Sequence, residues 1–91
     1  MTNKKESVVW VTGASSGIGK AMAFESARLG YKVVLSARRQ ERLEAIALEI
    51  RNAGGEALVV PLDIMEEASI TMAVQRIISA WGRLDIAVAN A

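Results

Sequence analysis

The sequence contains no cysteine and no histidine. Without cysteine the chain can form neither a disulfide nor a thiolate metal site, and without histidine it lacks the commonest other ligand. Nothing in the placement of its carboxylates suggests a metal site, so none is expected. Charge of one sign is also missing: 11 Lys and Arg stand against 10 Asp and Glu, for a net charge of +1. The basic residues are dispersed among the acidic ones, which argues against a footprint for nucleic acid or for an anionic membrane. Lys4 and Lys5 read as part of a solvated N-terminal tail. No apolar run approaches the ~20 residues of a membrane helix. The run "VVWV" that follows "MTNKKE" lacks the length and the small-residue cleavage site of a signal peptide. The expectation is a cytoplasmic chain without membrane contact.

What is present is the composition of a folded domain, 52% hydrophobic and 23% charged, with a single proline. At 91 residues the chain fits one small domain or part of a larger one. A chain of this size buries only ~60% of its unfolded surface, which leaves it marginal unless the fold is compact and complete.

Short β-branched runs alternate with longer helical segments. "SVVWVT" (7–12) predicts a first strand, "GIGKAMAFESARLG" (17–30) a helix stopped at Gly30, and "KVVLSA" (32–37) a second strand. In "RQERLEAIALEIRNAGG" (39–55), Leu43, Ile46, Ala47 and Ile50 fall on one helical face, closed by Gly54 and Gly55. "EALVVPLD" (56–63) predicts a third strand with Pro61 near its end. The segment 65–85 carries an apolar stripe of Ile70, Val74, Ile77, Ile78 and Trp81, stopped at Gly82; "IAVANA" (86–91) predicts a fourth strand. The strands are continuously apolar, as strands covered on both faces are. This is the pattern of βαβ units, which predicts a Rossmann-like doubly wound α/β fold: a parallel sheet in the order 3-2-1-4 with helices on both faces.

Between the first strand and first helix lies "TGASSGIGK". A mononucleotide loop needs G-x-x-x-x-G-K-S/T; here Ala14 stands where its first glycine belongs and Ala21 where its magnesium-binding hydroxyl belongs. The glycines at 13, 17 and 19 instead suit a pyrophosphate. Gly13 permits a sharp turn off the strand, Gly17 a close backbone approach, and Gly19 tight packing of the helix on the sheet. The helix N-terminus then offers N–H groups and partial positive charge to the anion, and Ser15 and Ser16 add hydroxyls.

"TGASSGIG" closely resembles the cofactor loop of the short-chain dehydrogenase/reductase family in its common single-domain form. "VVLSARR" is similar to that family's second strand and following loop, "PLDI" to its adenine-contacting segment, and "VANA" to the start of its N-N-A-G motif. The resemblance covers essentially the whole chain. It implies an oxidoreductase that exchanges hydride between a nicotinamide and a small-molecule carbonyl or alcohol, homo-oligomeric at full length. It further implies that the cofactor is lined by Gly13, Ser15, Ser16, Gly17, Ile18, Gly19, Arg38, Arg39, Asp63, Ile64, Asn90 and Ala91. Asp63 also suits a turn or cap before the next helix. Ala89 departs from the family pattern, standing in place of the motif's first asparagine.

A dinucleotide domain selects its cofactor at the end of the second strand, where a carboxylate bonds the ribose 2′-OH of NAD and arginine accepts the 2′-phosphate of NADP. Here Ala37 is followed by Arg38 and Arg39. NADP(H) is therefore expected over NAD(H), although Ser16 occupies a loop position that is basic in many NADP-preferring relatives. The family's catalytic serine and Tyr-x-x-x-Lys find no match in these residues: Tyr31, the one tyrosine, has Leu35 four positions on. The glutamates read as solvated helix charges, so no catalytic residue is assigned. The expectation is an N-terminal cofactor-binding part, inactive alone, whose fourth strand leaves an open edge. A non-catalytic dinucleotide-binding or sensing module is the alternative, and a methyltransferase a weaker one, disfavoured by Arg38 and Arg39 where an adenosyl ribose usually meets a carboxylate.

Overall fold

The computed structural model describes residues 6–15, 17–63 and 65–89. Strands and helices alternate as β1 (Val8–Thr12), α1 (Gly17–Arg28), β2 (Lys32–Ser36), α2 (Gln40–Asn52), β3 (Ala57–Val59), α3 (Glu67–Trp81) and β4 (Ile86–Val88). The strands form one parallel sheet in the order β3-β2-β1-β4, the expected Rossmann-like doubly wound arrangement. No helix among the described residues is long and apolar enough to cross a membrane.

Side chains alternate across a strand, and each apolar run therefore feeds two cores. Val9, Val11, Val33, Leu35, Ala57 and Val59 face one side, where Ala23 of α1 and Leu43, Ile46, Ala47 and Ile50 of α2 cover them. Val8, Trp10, Val34 and Val60 face the other, covered by Ala73 and Ile77 of α3. The absence of polar alternation in these strands follows directly: both faces are dry. The predicted face of α2 matches the buried one residue for residue.

The α3 stripe is corrected. Its seam runs through Ala73 and Ile77 with Val74 and Trp81 beside them, while Ile70 and Ile78 stay 37% and 45% exposed. Ile78 lies about 100° around the helix from Ile77 and so turns away from the sheet. The elements are also shorter than the sequence runs. The third strand, predicted to reach Asp63, ends as a regular strand at Val59. Its pairing with the β2 edge nevertheless continues, Val60 N–H donating to Leu35 O at 3.0 Å and Leu62 N–H to Ala37 O at 3.1 Å. Gly82, in the left-handed region, closes α3 by an N–H donated to Ile78 O at 2.8 Å. Tyr31 packs against the first core and is half-buried. β4 is one of the two outer strands of the sheet among the described residues, and Ile86 on it is 43% exposed.

Two polar ties hold the strands in register. In the core, the Trp10 Nε1–H donates to Ser36 Oγ at 2.8 Å, and the Ser36 hydroxyl donates to Val60 O at 2.6 Å. This chain of bonds satisfies every side-chain polar atom it buries and links β1, β2 and the extension of β3 near their C-terminal ends. At the opposite end of β1, Asp85 Oδ2 accepts from the Val8 N–H at 2.8 Å, and the Asp85 N–H donates to Val8 O at 3.1 Å. Arg83 grips the same carboxylate through Nε, 2.9 Å from Oδ2, and NH2, 2.6 Å from Oδ1. The Arg83 bonds first, then the Val8 N–H, hold the Asp85 carboxyl below its ordinary pKa.

Ser36→Ala would strand the Trp10 indole N–H in the core. The expected loss is about 1–3 kcal/mol of unfolding free energy in urea titration; a loss near zero would mean that the relay contributes nothing. For Asp85 the folded pKa is depressed, so its contribution is present above the unfolded value and disappears as pH falls through the folded one. The stability gap between the native protein and Asp85→Asn is therefore expected to close as pH drops below about 4. A gap independent of pH would assign it to something other than the charge.

Candidate functional site

Because the strands are parallel, all their C-terminal ends lie on one edge of the sheet, and the loops that leave them meet there. Three of those loops carry the residues singled out by the sequence. The first leaves β1 at Gly13, whose φ of 67° lies in the left-handed region and turns the chain off the strand. Ala14 follows, fully buried in the first core, and its N–H donates to Ser36 O at 3.1 Å. The turn is thus pinned to the end of β2 as well as to its own strand. Ser15 is half-buried.

Gly17 opens α1 with φ 59°, and a Cβ built there would meet nothing within 4 Å. The glycine is needed for its backbone conformation, and the space above it is free for another molecule to approach the main chain. Ile18 projects from the loop, 70% exposed, while Gly19 is buried in α1 against the sheet.

The second loop leaves β2. Ala37 packs against the first core, and Arg38 and Arg39 are exposed beyond it. Arg39 sits at the N-cap position of α2, and no side chain caps that helix. The third loop follows β3. Asp63 Oδ1 accepts from the Met65 N–H at 3.0 Å, the Asp63 carbonyl accepts from the Glu66 N–H at 3.1 Å, and the Asp63 N–H donates to Ser69 Oγ at 3.2 Å. This residue builds the turn into α3; the N-cap position itself belongs to Glu66. The Asp63 carboxylate also faces Arg38, with NH2 to Oδ1 at 3.5 Å.

The structure therefore brings Gly13, Ser15, Gly17, Ile18, Gly19, Arg38, Arg39 and Asp63 to one edge. Ser16, Ile64, Asn90 and Ala91 lie outside the described residues. Sequence reasoning missed Ser36, whose carbonyl holds the glycine turn and whose hydroxyl ties the strands. Its signal was available: it is the one polar residue in the run "VVLS". It also missed the Arg38–Asp63 pair, for which a spacing of this length offers no signal.

A hollow of about 570 Å³ lies at the other end of the molecule among the ends of α1 and α2, lined by Phe24, Tyr31, Ile50, Gly54 and Gly55 among others. Open α/β sheets bind ligands outside the carboxyl ends of their strands, which favours the glycine-loop edge over this hollow. No group of three or more metal-ligating side chains occurs among the described residues.

The chain matches the family model described as short chain dehydrogenase over residues 7–91. It is 42% identical over 87 residues to mouse dehydrogenase/reductase SDR family member 7, an alignment that covers 91% of this chain and 26% of the mouse protein. Its fold superposes on a metagenomic short-chain oxidoreductase solved in complex with NADP, with a TM-score of 0.90 and 43% identity over 94% of this chain and 39% of that one. Hydroxysteroid dehydrogenase from Escherichia coli gives a TM-score of 0.92 at 30% identity, covering 100% of this chain and 40% of that one. The chain spans about a quarter of the length of the mouse relative. It belongs to the short-chain dehydrogenase family, and its sheet is the family's nucleotide-binding fold.

The open space at Gly17 separates backbone strain from steric clash. Gly17→Ala is expected to cost only about 1–2 kcal/mol in equilibrium unfolding, the price of a left-handed alanine. A loss of several kcal/mol more would mean that the added methyl group collides with the protein itself.

Proposed function

We propose that this short-chain dehydrogenase chain is the N-terminal, NADP(H)-binding part of an enzyme that exchanges hydride between nicotinamide and a carbonyl or alcohol. The observation that carries the cofactor choice is the end of β2: Ala37 occupies the place of a ribose-binding carboxylate, and an exposed Arg38 follows it. A guanidinium can take a phosphate through two parallel N–H bonds, whereas an NAD-selective carboxylate would repel it. The NADP complex of the metagenomic oxidoreductase supports the same reading.

In this proposal Gly13, Gly17 and Gly19 form the pyrophosphate cradle, with the N–H groups of the first turn of α1 directed at the anion. The space above Gly17 fits that role, because a side chain there would occupy it. Ser15 and Ser16 supply hydroxyls, and Ile18 covers the nucleotide with an apolar side chain. Arg38 binds the 2′-phosphate with Arg39 beside it, Asp63 and Ile64 contact the adenine, and Asn90 and Ala91 keep the cofactor-binding role that the family resemblance gives them.

The bound cofactor supplies the hydride. The work of these residues is to bind and orient it. None of them is assigned proton transfer in this reading, and the single tyrosine, Tyr31, is packed on the first core at the other end of β2. Proton transfer to the substrate belongs in this reading to residues outside these 91.

The test is the cofactor preference of the Arg38→Asp variant. Each charge-assisted bond to phosphate contributes about 1.5–3 kcal/mol. NADP affinity is therefore expected to fall roughly tenfold to a hundredfold by titration calorimetry, with NAD affinity held or improved. Unchanged NADP affinity would remove Arg38 from the role.

A further inference from the structure

Arg38 does not stand free at the end of β2. Its NH2 lies 3.5 Å from Asp63 Oδ1, with the Arg38 side chain 72% exposed and that of Asp63 41%. The two partners differ sharply in freedom. Asp63 is fixed by the turn it makes: its carboxylate accepts from Met65, its carbonyl from Glu66, and its N–H is bonded to Ser69. Arg38 is a long side chain on an exposed residue that precedes the N-cap of α2, and this ion pair is its one side-chain contact of that kind among the described residues. The pair is single-contact and long, so it is weak and can be broken.

We propose that Asp63 is a specificity-determining residue for the nucleotide. It holds Arg38 in an ion pair that a 2′-phosphate must displace, and so it lowers the preference for NADP(H) over NAD(H). The inference rests on the reading of Arg38 given above. A 2′-phosphate that engages Arg38 competes directly with the Asp63 carboxylate for one guanidinium. Asp63 cannot follow the arginine, because its Oδ1 is tied to the turn. A nucleotide with a free 2′-OH makes no such demand and leaves the pair in place. The chain thus carries both an attractive element for the 2′-phosphate and an opposing one, set on different strand ends.

The experiment compares two probes, adenosine 2′,5′-bisphosphate and adenosine 5′-phosphate, by titration calorimetry on the full protein. Contacts to adenine are common to both and cancel in the ratio of their dissociation constants. Asp63→Asn keeps the carbonyl oxygen that the Met65 N–H needs and removes only the charge; its melting temperature checks that the turn is retained. The ratio is expected to move toward the 2′-phosphate compound by about two- to fivefold, the range of an exposed ion pair. In an Arg38→Ala background the same substitution should leave the ratio unchanged.

A shift away from the 2′-phosphate compound would overturn the proposal and make Asp63 a support that aims Arg38 at the phosphate. An equal rise with and without Arg38 would also overturn it, since Asp63 would then repel the phosphate directly. If Arg38→Ala leaves the ratio unchanged in both the native and the Asp63→Asn proteins, the 2′-phosphate reading of Arg38 itself falls. That outcome takes the coupling with it and is distinct from the other two.

Discussion

The burial of a parallel sheet on both faces is the constraint from which the rest of this molecule follows. A parallel strand cannot return by a tight turn, so each of β1, β2 and β3 is followed by a helix, and the helices need somewhere to pack. They divide between the two faces: α1 and α2 on the side of Val9, Val11, Val33 and Leu35, and α3 on the side of Val8, Trp10 and Val34. Fully burying an aliphatic side chain of this size is worth about 1.5–3 kcal/mol. A polar residue facing either core from β1, β2 or β3 must therefore be satisfied internally.

Ser36 is the instructive exception. It is fully buried, yet its hydroxyl both accepts and donates, and its carbonyl takes the N–H of Ala14. One residue at the end of β2 thereby fixes the neighbouring strands and the glycine turn together. Each site loop begins at a strand end that the core has already positioned.

Much of this could be read from the residues. The four apolar runs and their spacing by helical segments led to the sheet order, and Gly13 to the sharp turn off β1 that the structure contains. The face of α2 was legible because it is covered along its length by the sheet. That of α3 was read less well: Ile70 and Ile78 are apolar yet exposed, because hydrophobicity reports what a residue can bury and not what lies opposite it. Element ends were overestimated for a related reason. An apolar run does not record where a ladder stops, and the turn into α3 is made by bonds to the Asp63 carboxylate and carbonyl.

By itself, the sequence determined the class of the fold, the glycine-rich turn and the candidate residues at the strand ends, since these depend on local conformation and on periodicity. Only the tertiary structure decided which of those residues meet. Arg38 and Asp63 belong to different loops, and nothing in either segment indicates an ion pair with the other. Trp10, Ser36 and Val60 are likewise joined only when three strands lie side by side. Such contacts depend on strand order and register, which are set by how the two cores close around the sheet.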